Sequence, residues 1–377
     1  MKNCAIDDLV NQAPIRRCRP GLPTMAGIAC LIGLSWPGYS FLGRRTADQR
    51  APISWRVQRS GTEASLRGVS AVDDKTAWAS GNKGTILRTT DGGETWASRA
   101  VPGAETTDFR DIEAFSAETA CAMGVGRPAK IFKTTDGGTT WTERYHDDAP
   151  GIFLDAMAFF DGKNGLAVGD PMDGRFFLIR TADGGTTWEP VPFENRPEAR
   201  PGEGAFAASG TCLFVLGPSG AWFCTGGPVA RVMRSADKGK TWESAPSPLL
   251  SGQASFGAFS VAFLDPKDGL IAGGDYKNET AGEKNAAFSS DGGKTWELTL
   301  SGPPAGFREC VAFVPKAAPP LAVAVGPSGS DYSLDGGRTW NPIEGPAGFH
   351  SLSFSKSGKT GWAVGKGGLI AKFALAG

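Results

Sequence analysis

The sequence predicts an all-β chain: a seven-bladed β-propeller of four-stranded blades over residues 51–377, with an N-terminal strand closing the last blade. Three observations predict it. An eight-residue phrase recurs six times, the copies are spaced by 44 to 54 residues, and the two ends of the repeated region are each incomplete in a complementary way. That period suits a four-stranded blade and excludes leucine-rich and collagen-like repeats. The 53 glycines and 11 tryptophans agree, because many turns with an aromatic beside them indicate short strands joined by tight hairpins. No stretch after residue 45 reads as an amphipathic helix.

Residues 1–50 stand apart as a signal-like or disordered leader. Arg16, Arg17 and Arg19 precede an apolar run from Met25 to Trp36, the order of the charged and hydrophobic regions of an export signal. The run is shorter than the ~20 residues a membrane-spanning helix needs. Export to the periplasm or cell exterior, with membrane association as a variant, is therefore expected.

At 53–61, "ISWRVQRSG" is a strand with its own Trp55 and no blade before it. Then come the units. In the second, "DFRDIEAF" alternates, "ACAMGVG" and "AKIFKTT" follow, and a fourth strand comes after Trp141; the third repeats this with "FLDAMAFF", "GLAVGD" and "RFFLIRT". Each of the first six units carries one phrase: TTDGGETW, TTDGGTTW, TADGGTTW, SADKGKTW, SSDGGKTW and SLDGGRTW, with the acid at Asp91, Asp136, Asp183, Asp237, Asp291 and Asp335. The last unit has "FHSLSF", "GWAVG" and "LIAKF" but no phrase and no fourth strand. Donating 53–58 to it completes a seventh blade and leaves no open edge in the ring.

The phrase itself reads as a hairpin clasp. Its Asp accepts backbone N–H groups across the turn, Gly supplies a positive φ, Thr bonds back, and Trp buries a large surface between sheets. One carboxylate per copy is too few for a calcium loop. With no CxxC or Cys/His cluster and only two histidines, no metal or other cofactor is expected. Outside the leader, Cys212 and Cys224 flank a hairpin centred near Pro218. They suit a disulfide in an oxidising compartment and small buried apolar residues otherwise.

The phrase Ser/Thr-x-Asp-x-Gly-x-Thr-Trp is similar to the Asp-box, or bacterial neuraminidase repeat. The whole unit, "FRDI…IFKTTDGGTTW", resembles the seven-bladed propellers of the photosystem II stability and assembly factor family. That resemblance covers essentially 53–374 and implies a non-enzymatic assembly scaffold that docks a protein, a segment of a membrane-protein complex, through an arginine-rich face. Asp-box propellers also include sialidases, so the alternative is a glycan-active hydrolase or a carbohydrate binder. A sialidase-like site needs three arginines, a tyrosine nucleophile and a paired glutamate; Tyr276, with Glu279 nearby, is the best tyrosine. No catalytic residue is assigned.

Aligning the first strands of the units collects a charged collar: Arg67, Arg110, Asp111, Asp155, Glu203, Arg308, Glu309 and His350. First strands are innermost in a propeller, so these side chains are expected to ring the axis. They are either paired with one another or arranged as forks for a partner's carboxylate. Loops 195–228 and 275–285 carry the extra length of the two 54-residue steps and are expected to wall one face beside the collar. Lys plus Arg and Asp plus Glu both number 39, which gives no reason to expect nucleic acid as partner. A monomer is expected.

Overall fold

The computed structural model describes residues 53–375; the expected leader lies outside the described residues. Among the described residues are seven antiparallel sheets of four strands each. The inner strands are Leu66–Ala71, Asp108–Ala114, Leu154–Phe159, Leu213–Leu216, Phe256–Phe263, Cys310–Phe313 and Phe349–Phe354, for blades 1 to 7 in turn. Six blades run inner to outer along the chain. The seventh takes its outer strand from the N-terminal segment Ile53–Gln58, which pairs antiparallel with Ile370–Leu375 from Ile53↔Leu375 to Gln58↔Ile370.

The second strands explain why the blades pack so closely. Ala77–Gly81, Ala322–Gly326 and Gly361–Gly365 are buried at every position. Small residues there let neighbouring sheets approach, and large ones fill the remaining wedge. Trp78 and Trp362 are fully buried, Trp78 meeting Trp141 edge-on at 6.1 Å and Trp362 meeting Trp96 at 6.4 Å. Each of these pairs joins a phrase tryptophan to the preceding blade, the inter-sheet role expected of it. Trp222 and Phe223 are buried too, Trp222 stacked on Phe263 at 4.0 Å.

The six phrases fold alike, between the third and outer strands. In the second, Thr134 Oγ1 accepts the Gly138 N–H at 2.9 Å, while Asp136 Oδ1 accepts the Thr140 N–H at 2.9 Å and its Oδ2 the Thr140 hydroxyl at 2.6 Å. Gly137 and Gly138 sit at φ +75° and +79°, where a Cβ is strained. In the fourth copy Lys238 takes the first of these positions at φ 62°.

Cys212 and Cys224 do face each other across the first hairpin of blade 4, the Cys224 N–H donating to the Cys212 carbonyl at 2.9 Å. They are free thiols, however, with no disulfide between them. Both are buried, and burial pushes both thiols up, so they behave as small apolar residues.

Candidate functional site

The collar is built by a backbone irregularity that recurs. The inner strands of blades 1, 2, 3, 5 and 7 each slip register by one residue against their neighbours, at Arg67, Arg110, Asp155, Phe259 and His350. A β-bulge leaves its extra residue out of the ladder and re-aims the side chain. Four of those five residues were collected by alignment. Phe259 was missed because the set was assembled on charge, although it stands at the aligned position of "FGAFSVAF".

Glu203 is placed differently. The run "GEGAFAASG" alternates like an inner strand, but the inner strand of blade 4 begins at Leu213. Glu203 instead lies in the connection from blade 3, where its carboxylate is held by Arg231 Nη2 at 2.6 Å, Arg231 Nε at 2.9 Å and the Thr225 hydroxyl at 2.6 Å. Arg308 and Glu309 immediately precede the inner strand of blade 6, and the Glu309 N–H donates to Val325 O.

Arg67, Glu309 and His350 of the collar are committed to one another, and Arg110, Glu203 and Arg308 to charged residues outside it. His350 Nδ1 lies 2.7 Å from Glu309 Oε2 and 3.4 Å from Arg67 Nη1, and Arg67 Nη1 reaches Glu309 at 3.5 Å. Arg308 Nε donates to Asp331 Oδ2 at 2.7 Å, inside its own blade. Arg110 Nε donates to Asp108 at 2.8 Å, and Asp111 Oδ2 accepts the Met157 N–H at 2.7 Å. Asp111, Asp155, Glu203, Arg308, Glu309 and His350 are all buried, whereas Arg67 and Arg110 keep roughly a fifth of their side chains exposed. For the ion-paired members this pairing compensates much of the cost of burial, whereas Asp155 Oδ2 is buried without a hydrogen-bond partner.

Tyr276 sits in an aromatic cluster, 6.3 Å from Phe206 and 6.1 Å from Phe259 between ring centroids. Glu279, the carboxylate considered for it, forms an ion pair with Lys366 Nζ of blade 7 at 3.1 Å. The two lengthened loops meet through the Phe206–Tyr276 ring contact, and both bond the connection between them in sequence, Gly252 N–H donating to Gly227 O and Leu250 N–H to Lys284 O. Beside them, blades 3 and 4 enclose a groove of about 420 Å³ lined by Arg175, Arg196, Arg200, Arg231, Lys240 and Trp242, with Glu194, Glu198 and Glu243 among its acids. Arg175 pairs with Glu198, and Arg234 outside the groove engages Glu243. The exposed Arg200 and Lys240 side chains have no partner among the described residues. Alignment of the first strands missed this groove because its cations come from the starts of third strands, an outer turn and a connection.

The family described as photosynthesis system II assembly factor YCF48 matches residues 47–151 and 111–245, together more than half of the chain. The chain belongs to that family. No match is found among curated proteins. Among solved structures, a YCF48 bound to D1 peptide is 19% identical, with a TM-score of 0.60 over 88% of this chain and 99% of that one. YCF48 from Cyanidioschyzon merolae is 17% identical, with a TM-score of 0.59 over 85% of this chain and 99% of that one. A GH74 xyloglucanase from Xanthomonas campestris is 16% identical, with a TM-score of 0.60 over 85% of this chain but 53% of its own. At these identities the likeness is one of fold. A fold shared by a peptide binder and a glycosidase does not by itself choose between them.

Proposed function

We propose that this protein is a non-enzymatic assembly factor that docks a protein segment of photosystem II on the face carrying the two lengthened loops. Membership of the YCF48 family carries this reading, and the D1 peptide bound by a relative of the same fold supports it. The paired, mostly buried collar offers little free charge, so the docking contact is placed in the groove between blades 3 and 4. Among the described residues the Arg200 and Lys240 side chains have no partner there, and Arg forks suit a carboxylate. The groove therefore favours an acidic segment or a chain terminus. Export through the leader and a monomeric state complete the proposal, and N-terminal sequencing of the mature protein with sedimentation would check both.

The test is a titration of a labelled D1 peptide against the full chain. The double variant Arg200→Glu, Lys240→Glu is expected to weaken binding by about tenfold or more, since two attractions become repulsions. An Arg56→Ala control, in the outer strand of blade 7, should bind as the original does. Equal affinity for original and double variant would remove the groove from the proposal. Failure of every photosystem II segment to bind, or release of sugar from a glycan panel, would overturn the function itself.

A further inference from the structure

The connection from blade 3 to blade 4 does more than link two sheets. Residues 203–212 cross the axis of the ring, as their partners show. Arg110 of blade 2 donates to Ala207 O at 3.0 Å, the Ser209 hydroxyl donates to Glu309 O of blade 6 at 2.8 Å, and the Ser351 hydroxyl of blade 7 donates to Ser209 O at 2.8 Å. The Thr211 hydroxyl reaches Ser260 of blade 5 at 2.7 Å, and Phe206 stacks on Phe259 at 3.9 Å. Small residues are required along this path. A Cβ on Gly204 would lie 2.8 Å from Asp170 Oδ1, and one on Gly210 would lie 2.5 Å from Asp111 Oδ1.

We propose that residues 203–212 are a releasable plug of the axial channel, seated while Asp155 and Asp170 carry protons and loosened when these two carboxyls ionise. The segment is held by the Phe206–Phe259 stack, by its buried Ala205, Ala207 and Ala208, and by polar contacts. The amides of Ala205 and Ala207 face Asp170 and Asp155 and favour their ionised forms, but burial outweighs them, and Asp155 Oδ2 is buried without a hydrogen-bond partner, which suits a neutral carboxyl far better than a charged one. Asp155 faces Asp170, Arg110 and the Cys212 thiol. Arg110 is the cation among these, and it is shared with Asp108 and Ala207 O. Asp111 faces Glu113 and, with Asp155, Cys212. Arg67 and His350 are engaged with Glu309, and Arg231 with Glu203, so none of these basic groups is turned to the acid pair.

The direction follows from burial. It pushes Asp170 up to about 6 and Glu113 to about 7, and raises Asp155 and Asp111 well above the ordinary carboxylate range, aided by Asp170 and Glu113 respectively. A carboxyl raised in the seated state favours that state fully below its ordinary value, and the advantage is lost as pH rises through the raised one. The hold should therefore weaken progressively above about pH 4, with the share of Asp170 spent by about pH 6 and Asp155 carrying the loss higher.

Amide hydrogen exchange of the full chain tests this, with protection of 203–212 expressed relative to intrinsic exchange at each pH. Between pH 5 and 8.5 the protection should fall by about tenfold or more, tenfold being one unit of linked pKa difference, while the phrase turns stay protected. The variant Asp155→Asn, Asp170→Asn, neutral at every pH, should keep its protection. A flat profile in the unaltered chain overturns the proposal, as does an equal fall in the variant. Should the variant not fold, the infrared band of protonated carboxyls in the unaltered chain decides: its loss must coincide with the loss of protection, and a separate pH interval overturns the plug.

Discussion

Asp136 shows how one residue ties local geometry to the acid response of the molecule. The Thr140 hydroxyl, followed by the Thr140 amide, holds its carboxyl down at about 2, and Asp91 is held at about 2 by Thr95 in the same way. A carboxylate depressed in the fold contributes fully above its ordinary value near ~4 and gives up that contribution as pH falls towards the depressed one. Acid should therefore open the clasps between about pH 4 and 2. Asp136→Asn is expected to lower Tm at pH 7, because the amide supplies one acceptor oxygen where two oxygens took three bonds, and to flatten the fall in stability between pH 4 and 2. Tryptophan fluorescence during urea unfolding at several pH values would read both. An unchanged acid limb would mean that other groups titrate there.

At the scale of elements, the inner strands and the axial segment differ in how well they announce themselves. The bulged positions were legible because they repeat: Arg67, Arg110, Asp155 and His350 fall at one register in four strands. The axial segment was not, because Gly204, Ala205, Phe206 and Ala207 alternate as an inner strand does. Their actual neighbours, Gly226 by an isolated bridge and the Asp170 carboxyl at the end of the second strand of blade 3, are encoded nowhere near them. The hairpin spacing of Cys212 and Cys224 likewise located a pair without determining whether it bonds. The segment's small residues are its steric requirement, which leads to a prediction. Gly210 lies at φ +74° and faces Asp111, so Gly210→Ala should cost about 1–3 kcal/mol through strain and overlap. Urea unfolding would show it, and a loss under 0.5 kcal/mol, the ordinary range for a surface change, would mean that the path has slack.

The whole molecule depends on a joint between its ends. Gln58, the last residue of the closing strand, accepts the indole N–H of Trp96 at 3.2 Å and that of Trp362 at 3.1 Å through Oε1, and its Nε2 donates to Gly92 O at 3.0 Å. Lys372 Nζ reaches the same carbonyl at 2.9 Å. One amide thus ties the first phrase to the last blade, and the six ladder pairs of Ile53–Gln58 cover the edge of Ile370–Leu375. Without that strand, Ile370–Leu375 would become an open edge, a template for pairing with another chain. Trp55 would also be lost from Phe349 and Phe373, which it meets at 5.2 and 6.1 Å. A chain begun at Arg59 should therefore lose cooperativity in blade 7 and associate, seen as a lower first transition in calorimetry and as higher-order species in size-exclusion chromatography. Adding residues 51–58 as a separate peptide should restore the monomer peak, because the strand completes the sheet by pairing whether or not it is covalently joined. A truncated chain that stays monomeric with an unchanged transition would show that the blade-to-blade contacts, not the closing strand, hold the ring shut.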